Sequence, residues 1–313
     1  MTKHFKIAFI FFLFILPFFY YGVTLYGKRV HSLSRGNYFF SSTRDNVDLN
    51  KISISFNNKD NITFIKTNDL WRIEEADDYY ASFSKINVLI ELLRNTIIYR
   101  ADAIDKKQNI KFDNFLKIQT FDGKNNVIDS AIISEQNDKN KYHYALLNND
   151  NFLYQLSTKI KLSSNVNDWL QMPILNLQNS DIKQINFDNV IFNRKLKNDK
   201  FLLKDTNYTK PEILRLLNNL RNINAEEVKH ASKFERNKYL KIRHFVLTTF
   251  NGVIYKIDLY KGENDFWINI YLDKKQFISK DISKQIKDNL MLYNGWFFKI
   301  NQEKGIILSN FVI

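Results

Sequence analysis

Four carboxylates crowd one short stretch, Glu74, Glu75, Asp77 and Asp78. Paired acids are what a glycoside hydrolase uses as proton donor and as base or nucleophile. Their place just ahead of a helical pattern has a plainer explanation, because negative charge is favoured at a helix N-terminus and sits well in a solvated loop. The matching stretch of the second half reads Lys204-Asp205-Thr206-Asn207, so any carboxylate site is confined to the first half. The five histidines, His4, His31, His143, His230 and His244, form no H-x-x-x-H or H-E-x-x-H pair, and there is no cysteine. That excludes disulfides, thiol catalysis and thiolate ligands, and no metal or other cofactor is expected. A G-x-S-x-G elbow and a glycine-rich phosphate loop are both missing, and eight glycines are too few to build such loops freely. No catalytic residue is assigned, and an enzyme is not expected.

Aromatic residues make up 15% of the chain, and Trp71, Trp169, Trp267 and Trp296 suggest a stacking platform for sugars or bases. Packing is the better reading for those that recur at equivalent places, Trp71 with Phe201 and Trp169 with Trp296. Asp265-Phe266-Trp267 is different, because neighbouring residues of a strand point to opposite faces. One of Phe266 and Trp267 is therefore expected to be exposed and to contact a partner.

The elements that carry these residues begin with a membrane anchor. Ile7 to Tyr26 is an uncharged run rich in Phe, Ile and Leu, about 20 residues and so about 30 Å as a helix, the thickness of a bilayer core. Lys3 and Lys6 flank it on one side, Lys28 and Arg29 on the other, and Tyr20, Tyr21 and Tyr26 suit the interface. Pro17 is tolerable inside a membrane helix. A cleaved leader is the alternative, but no A-x-A pattern follows Leu25. A short N-terminal stub favours an inside N-terminus with the bulk of the chain outside. Lys28, Arg29 and Arg35 then belong to a basic stretch able to meet lipid headgroups. The formal charge of +13, from 46 basic and 33 acidic residues, is read as part of a general Asn, Lys, Ile and Phe bias, and no nucleic-acid partner is expected.

Beyond the anchor the chain reads as two parallel halves. Asp48-Leu49 with Ile52 and Ile54 reappears as Asp181-Ile182 with Ile185 and Phe187, the alternation of a half-buried strand. Asn68-Asp69 corresponds to Asn198-Asp199 as a turn before a new strand. Ile86, Leu89, Ile90 and Leu93 have helical spacing and are mirrored by Ile213, Leu216, Leu217 and Leu220. The second helix opens with the capping box Thr209-Lys210-Pro211-Glu212, and Ser82 is the matching cap of the first. Phe115 to Phe121 then matches Tyr239 to Phe245, four of seven residues being identical. Turns with Gly123 and Gly252 lead into strands at Val127 to Ile133 and Val253 to Leu259, and a further hairpin follows each. The expected fold class is α+β: an N-terminal transmembrane helix, then two tandem repeats of an antiparallel-sheet module with one packed amphipathic helix each. The expected divisions are a stub at 1–6, the membrane helix at 7–27, a basic linker at 28–46, a first module at 47–178 and a second at 179–313.

The anchor, the aromatic entry at Trp71, the acidic Glu74-Glu75-Ala76-Asp77 loop, the leucine-rich helix, and Trp169 before Leu177 and Asp181-Ile182-x-x-Ile resemble the domain of unknown function 4340 family of bacterial envelope proteins. The likeness covers nearly all of residues 47 to 313. This chain lacks the proline usual in that family shortly after the aromatic entry. The resemblance implies a tandem ectodomain on one inner-membrane anchor, with periplasmic modules, beside exporters of the gliding-motility ABC type. It brings no catalytic residues. The expected function is a non-catalytic accessory or scaffold subunit whose partners are inner-membrane lipid and an ABC-type exporter subunit. The alternative is a binding module or hydrolase acting on cell-wall glycan or another envelope polymer.

Overall fold

A computed structural model describes residues 37–45, 48–57, 59–100, 114–134, 143–147, 152–188, 190–204, 212–272 and 292–311. The expected membrane helix at 7–27, Lys28, Arg29 and Arg35, and the Thr209-Lys210-Pro211 part of the capping box lie outside these residues. Among the described residues no helix is long and apolar enough to cross a membrane.

In chain order the strands and helices of the first half are β1 (Asn37–Tyr38), α1 (Ser41–Arg44), β2 (Lys51–Phe56), β3 (Asp60–Thr67), β4 (Leu70–Ile73), β5 (Tyr79–Tyr80), α2 (Phe83–Asn95), β6 (Ile97–Arg100), β7 (Phe115–Phe121), β8 (Val127–Ser134), β9 (Tyr144–Leu147) and β10 (Leu153–Leu156). Then come β11 (Leu175–Asn176), β12 (Ile182–Phe187), β13 (Val190–Asn193), β14 (Leu202–Leu203), α3 (Glu212–Arg221), β15 (Asn222–Ile223), β16 (Glu227–His230), β17 (Leu240–Thr249), β18 (Ile254–Lys261), β19 (Phe266–Leu272), β20 (Trp296–Ile300) and α4 (Gln302–Ser309). The chain is α+β and dominated by antiparallel sheet. It forms two compact units, one holding residues up to Asp60 with Val88–Leu162, the other Asn61–Asn87 with Ser163–Ile313.

In the first unit the strands run β1-β6-β10-β9-β8-β7-β2. The alternation Ile52, Ile54 on β2 and Leu116, Ile118 on β7 buries all four residues, as the period of two requires. Residues 37–45, expected within a linker, are part of this fold: Phe39 and Phe40 are buried, and Phe39 N donates to Thr96 O at 2.8 Å. Thr43 on α1 is buried too, its amide and hydroxyl donating to Asp129 Oδ2 at 2.8 and 2.7 Å. Thr120 Oγ1 lies 3.1 Å from the same hydroxyl. The result is a polar network inside the unit, joining α1 to β7 and β8.

In the second unit the larger sheet runs β14-β13-β12-β17-β18-β19-β20-β16, and β11 pairs with β15. Six strands, β16-β20-β19-β18-β17-β12, follow the same neighbour order as β6-β10-β9-β8-β7-β2 of the first unit. Turn geometry matches as well: Asn57 after Phe56 and Asp188 after Phe187 both adopt left-handed backbone, φ 53° and 47°. A register shift between Ile182 and Gln184 in the β12–β17 pair lets Ile182 and Ile185, three residues apart, both face inward. Asn68 and Asp69 form the two-residue turn between β3 and β4, with φ 50° and 62°, the twist a tight hairpin needs. The helical spacing is also met, since Ile86, Leu89 and Leu93 of α2 and Ile213, Leu216, Leu217 and Leu220 of α3 are buried.

Two expectations are corrected here. Helix α4, which lies against β17, β18 and β19, was not anticipated. Its run Gly305-Ile306-Ile307-Leu308 has no helical stripe to read, because one face is shaped by a glycine rather than by an apolar side chain. That helix also overturns the expected exposure of Phe266 or Trp267, whose residual accessibilities are 5% and 1%. Phe266 faces Gly305, where a Cβ would run into its ring. Trp267 faces the other way and is covered by Phe234, Tyr260 and Phe297. Both faces of β19 are covered, so alternation leaves neither residue at the surface.

The contact with Gly305 makes a quantitative expectation. Gly305→Ala should destabilise the protein by about 1–3 kcal/mol through overpacking, and Phe266→Leu in the same chain should recover part of that loss. Thermal unfolding of the two single variants and the double variant checks this. Additive losses would show that the two residues do not press on one another.

Candidate functional site

The acidic stretch resolves into a built corner of the second unit. Glu74–Ala76 is a single 3-10 turn, and Asp77 and Asp78 follow it in left-handed backbone, φ 57° and 65°. Two consecutive non-glycine residues in that region are uncommon, and aspartate is among the residue types that tolerate it. Each acid has its own place. Glu75 accepts from Thr63 N at 2.7 Å, tying the turn to β3. Asp77 accepts from His230 N at 3.2 Å through one oxygen and from Lys233 Nζ at 2.7 Å through the other. Asp78 N donates to Ile73 O at 2.9 Å while its side chain is exposed. Lys233 is held above the usual lysine pKa, chiefly by its hydrogen bond to Asp77. The carboxylates do not converge on one point, so the cluster read as a potential acid/base pair is first of all a structural turn.

A cleft of about 580 Å³ opens beside this turn. Arg72 on β4 and Tyr80 on β5 are paired across the strands and form one wall. His230 on β16 and Trp296 on β20, also paired, form another. The Arg72 guanidinium lies 4.8 Å over the Tyr80 ring and reaches its hydroxyl at 3.2 Å through Nη2. Arg72 Nε is buried with no hydrogen-bond partner among the described residues. His230 Nδ1 accepts from Ser232 N at 3.3 Å and sits 2.8 Å from Ser232 Oγ, which places the proton of the neutral ring on Nε2. The ring meets Trp296 edge-on at 5.0 Å. Next to Trp296, Tyr79 is fully buried, its hydroxyl without a partner among the described residues, and burial pushes its pKa far above that of a free phenol. The cleft thus offers cations and one exposed carboxylate beside largely buried aromatic rings, a set suited to binding a polar molecule.

A second constellation lies on the sheet. Asp258 on β18 is buried and has Lys241 Nζ at 2.8 Å, His244 Nδ1 at 2.5 Å and Tyr271 OH at 3.5 Å. Burial, then the nearby Asp258 charge, pushes the Tyr271 phenol up to about 12. An aspartate orienting an imidazole is the rear half of a nucleophilic triad. No hydroxyl nucleophile among the described residues hydrogen-bonds to His244, and the group reads as a paired buried charge.

All four tryptophans are buried, with Trp169 against Phe64 at 5.1 Å and Trp296 against Tyr79 at 5.0 Å. Packing rather than stacking on ligand is their main role. Arg72, His230 and Lys233 carry no signal in the sequence, because only strand pairing and the turn at Asp77 bring them together. No family model, curated protein or solved structure matches this chain.

Proposed function

We propose that this protein is a single-pass membrane-anchored envelope component, a non-catalytic accessory or scaffold subunit whose two sheet modules dock a membrane-protein partner of the ABC-exporter type. The observation that carries the reading is the common neighbour order of six strands in the two units, with equivalent helices and equivalent left-handed turns. A duplicated architecture whose matched residues are spent on packing suits a binding scaffold. The uncharged segment 7–27 supplies the anchor, with the N-terminus inside and the modules on the periplasmic side of a bacterial inner membrane. The exporter partner rests on the family resemblance alone and is an analogy of context. Affinity purification of the full chain in mild detergents tests it: an exporter subunit should co-elute, and repeated recovery of the chain alone would remove the partner. A reporter fused after Ile313 should be active only outside the cytoplasm, and activity inside would overturn the topology.

The cleft favours a second reading, a module that binds cell-wall glycan. Asp78, Arg72 and Lys233 offer polar contacts around about 580 Å³, and Tyr80 and Trp296, both largely buried, are part of its lining. Substituting Glu75 or Asp77 would report on the turn they hold rather than on ligand. Asp78→Asn is the useful variant, since asparagine also tolerates left-handed backbone. Loss of binding to peptidoglycan fragments in Asp78→Asn, with the thermal midpoint unchanged, supports the glycan reading. An absence of binding in the unaltered protein ends it.

A further inference from the structure

Arg194 is a buried cation that no carboxylate among the described residues meets in an ion pair. It follows β13, is 6% accessible, and donates through Nε to Ile182 O at 2.8 Å and through Nη2 to Asn179 O. Its guanidinium lies 4.5 Å over the Phe201 ring and 5.6 Å over Phe250. None of the ion pairs among the described residues includes it. Burial lowers its pKa, opposed only in part by the more distant Asp199 and Asp181. A buried charge is normally paired, because removing it from water is costly.

This guanidinium lines a cavity of about 540 Å³, a size typical of small-molecule sites. Phe201, Ile213 and Leu214 make an apolar wall, and Lys197 and Lys200 add positive charge at the rim. Asp199, also at the rim, has one carboxylate oxygen committed to Leu196 N at 2.8 Å. Asn179 Oδ1 is buried there with no donor among the described residues. The geometry points to a binding site for a small organic carboxylate with an apolar ring or short chain, its carboxylate against Arg194 and its apolar part against Phe201, Ile213 and Leu214. The remaining guanidinium N–H groups suit a carboxylate, which takes two parallel hydrogen bonds. The Asn179 oxygen needs a donor, which an ionised carboxylate lacks, so it is left to water rather than to the ligand. This site is separate from the Arg72–His230 cleft, and its occupancy does not depend on the scaffold reading.

The test uses the full chain in lipid nanodiscs with phenylacetate as probe, read by ligand-observed saturation-transfer NMR against empty nanodiscs. Phenylacetate is expected to bind at least ten-fold more tightly than 2-phenylethanol, which keeps the ring, and than acetate, which keeps the charge. Arg194→Met should abolish binding. Leu214→Trp should also abolish it by filling the apolar end while every Arg194 hydrogen bond remains, and it decides the matter if Arg194→Met does not fold. Equal affinity for phenylacetate and 2-phenylethanol, no binding of phenylacetate to the unaltered chain, or unchanged binding in folded Leu214→Trp would each overturn the site.

Discussion

Trp267→Ala is expected to destabilise the protein by about 3–5 kcal/mol, the usual cost of deleting a large buried aromatic. The side chain is 1% accessible and packs on Phe234 at 5.3 Å and Tyr239 at 6.1 Å. Phe234 in turn stacks on Phe297 at 3.8 Å, nearly parallel at 7°. The indole N–H donates to Asp265 Oδ2 at 2.8 Å, and Lys229 Nζ lies 5.1 Å over the ring. Truncation therefore removes the centre of a cluster that pins the segment around Phe234 to one face of the sheet. Trp267→Phe keeps the apolar volume in part and loses the hydrogen bond, so it should cost less. Chemical denaturation followed by circular dichroism measures both. A surface contact residue would change stability by within about 0.5 kcal/mol, and that result would return Trp267 to the role its strand alternation suggested.

Asp129→Ala should cost about 3 kcal/mol, because it strips the acceptor from two charge-assisted hydrogen bonds in a buried place. Thr43 N and Thr43 Oγ1 both donate to Asp129 Oδ2, and Asp129 retains only 2% accessibility. Removing the carboxylate leaves the Thr43 amide without its acceptor and leaves the Thr43 hydroxyl only Thr120 Oγ1, between α1 and the β7–β8 pair. Thr43→Val removes only the hydroxyl and keeps the amide bond, so its expected loss is smaller, about 1–2 kcal/mol. Arg94 Nε donates to Thr43 O at 3.2 Å and should hold α1 in place in the valine variant. The order of the two losses is the diagnostic. Equal destabilisation by the two substitutions would show that the carboxylate is not the centre of the network.

Local patterns were legible wherever one residue's environment follows from its immediate neighbours. The period of two on β2 and β7, the helical stripes of α2 and α3, and the Asn68-Asp69 turn are all of this kind, since each depends on backbone geometry within a few residues. The alternation rule failed at β19 because it counts faces and not layers. Phe266 and Trp267 do point opposite ways, but α4 covers one face and the Phe234 segment covers the other. Helix α4 was itself hidden, since a helix that presents Gly305 to an aromatic ring has no apolar stripe.

The candidate site was legible only in its acids. Glu74 to Asp78 stood out by composition, yet the partners that define the corner come from far along the chain, His230 and Lys233 to Asp77, Trp296 to Tyr79. Residue types and short-range spacing were enough to specify a sheet-rich α+β chain, its helices α2 and α3 and many of its turns, because those follow from dihedral preference and burial period. Which acid is bonded, which cation forms no ion pair among the described residues, and which aromatic is covered depended on contacts between distant strands. Such contacts are set by the packing of whole elements, and no local pattern in the chain encodes them.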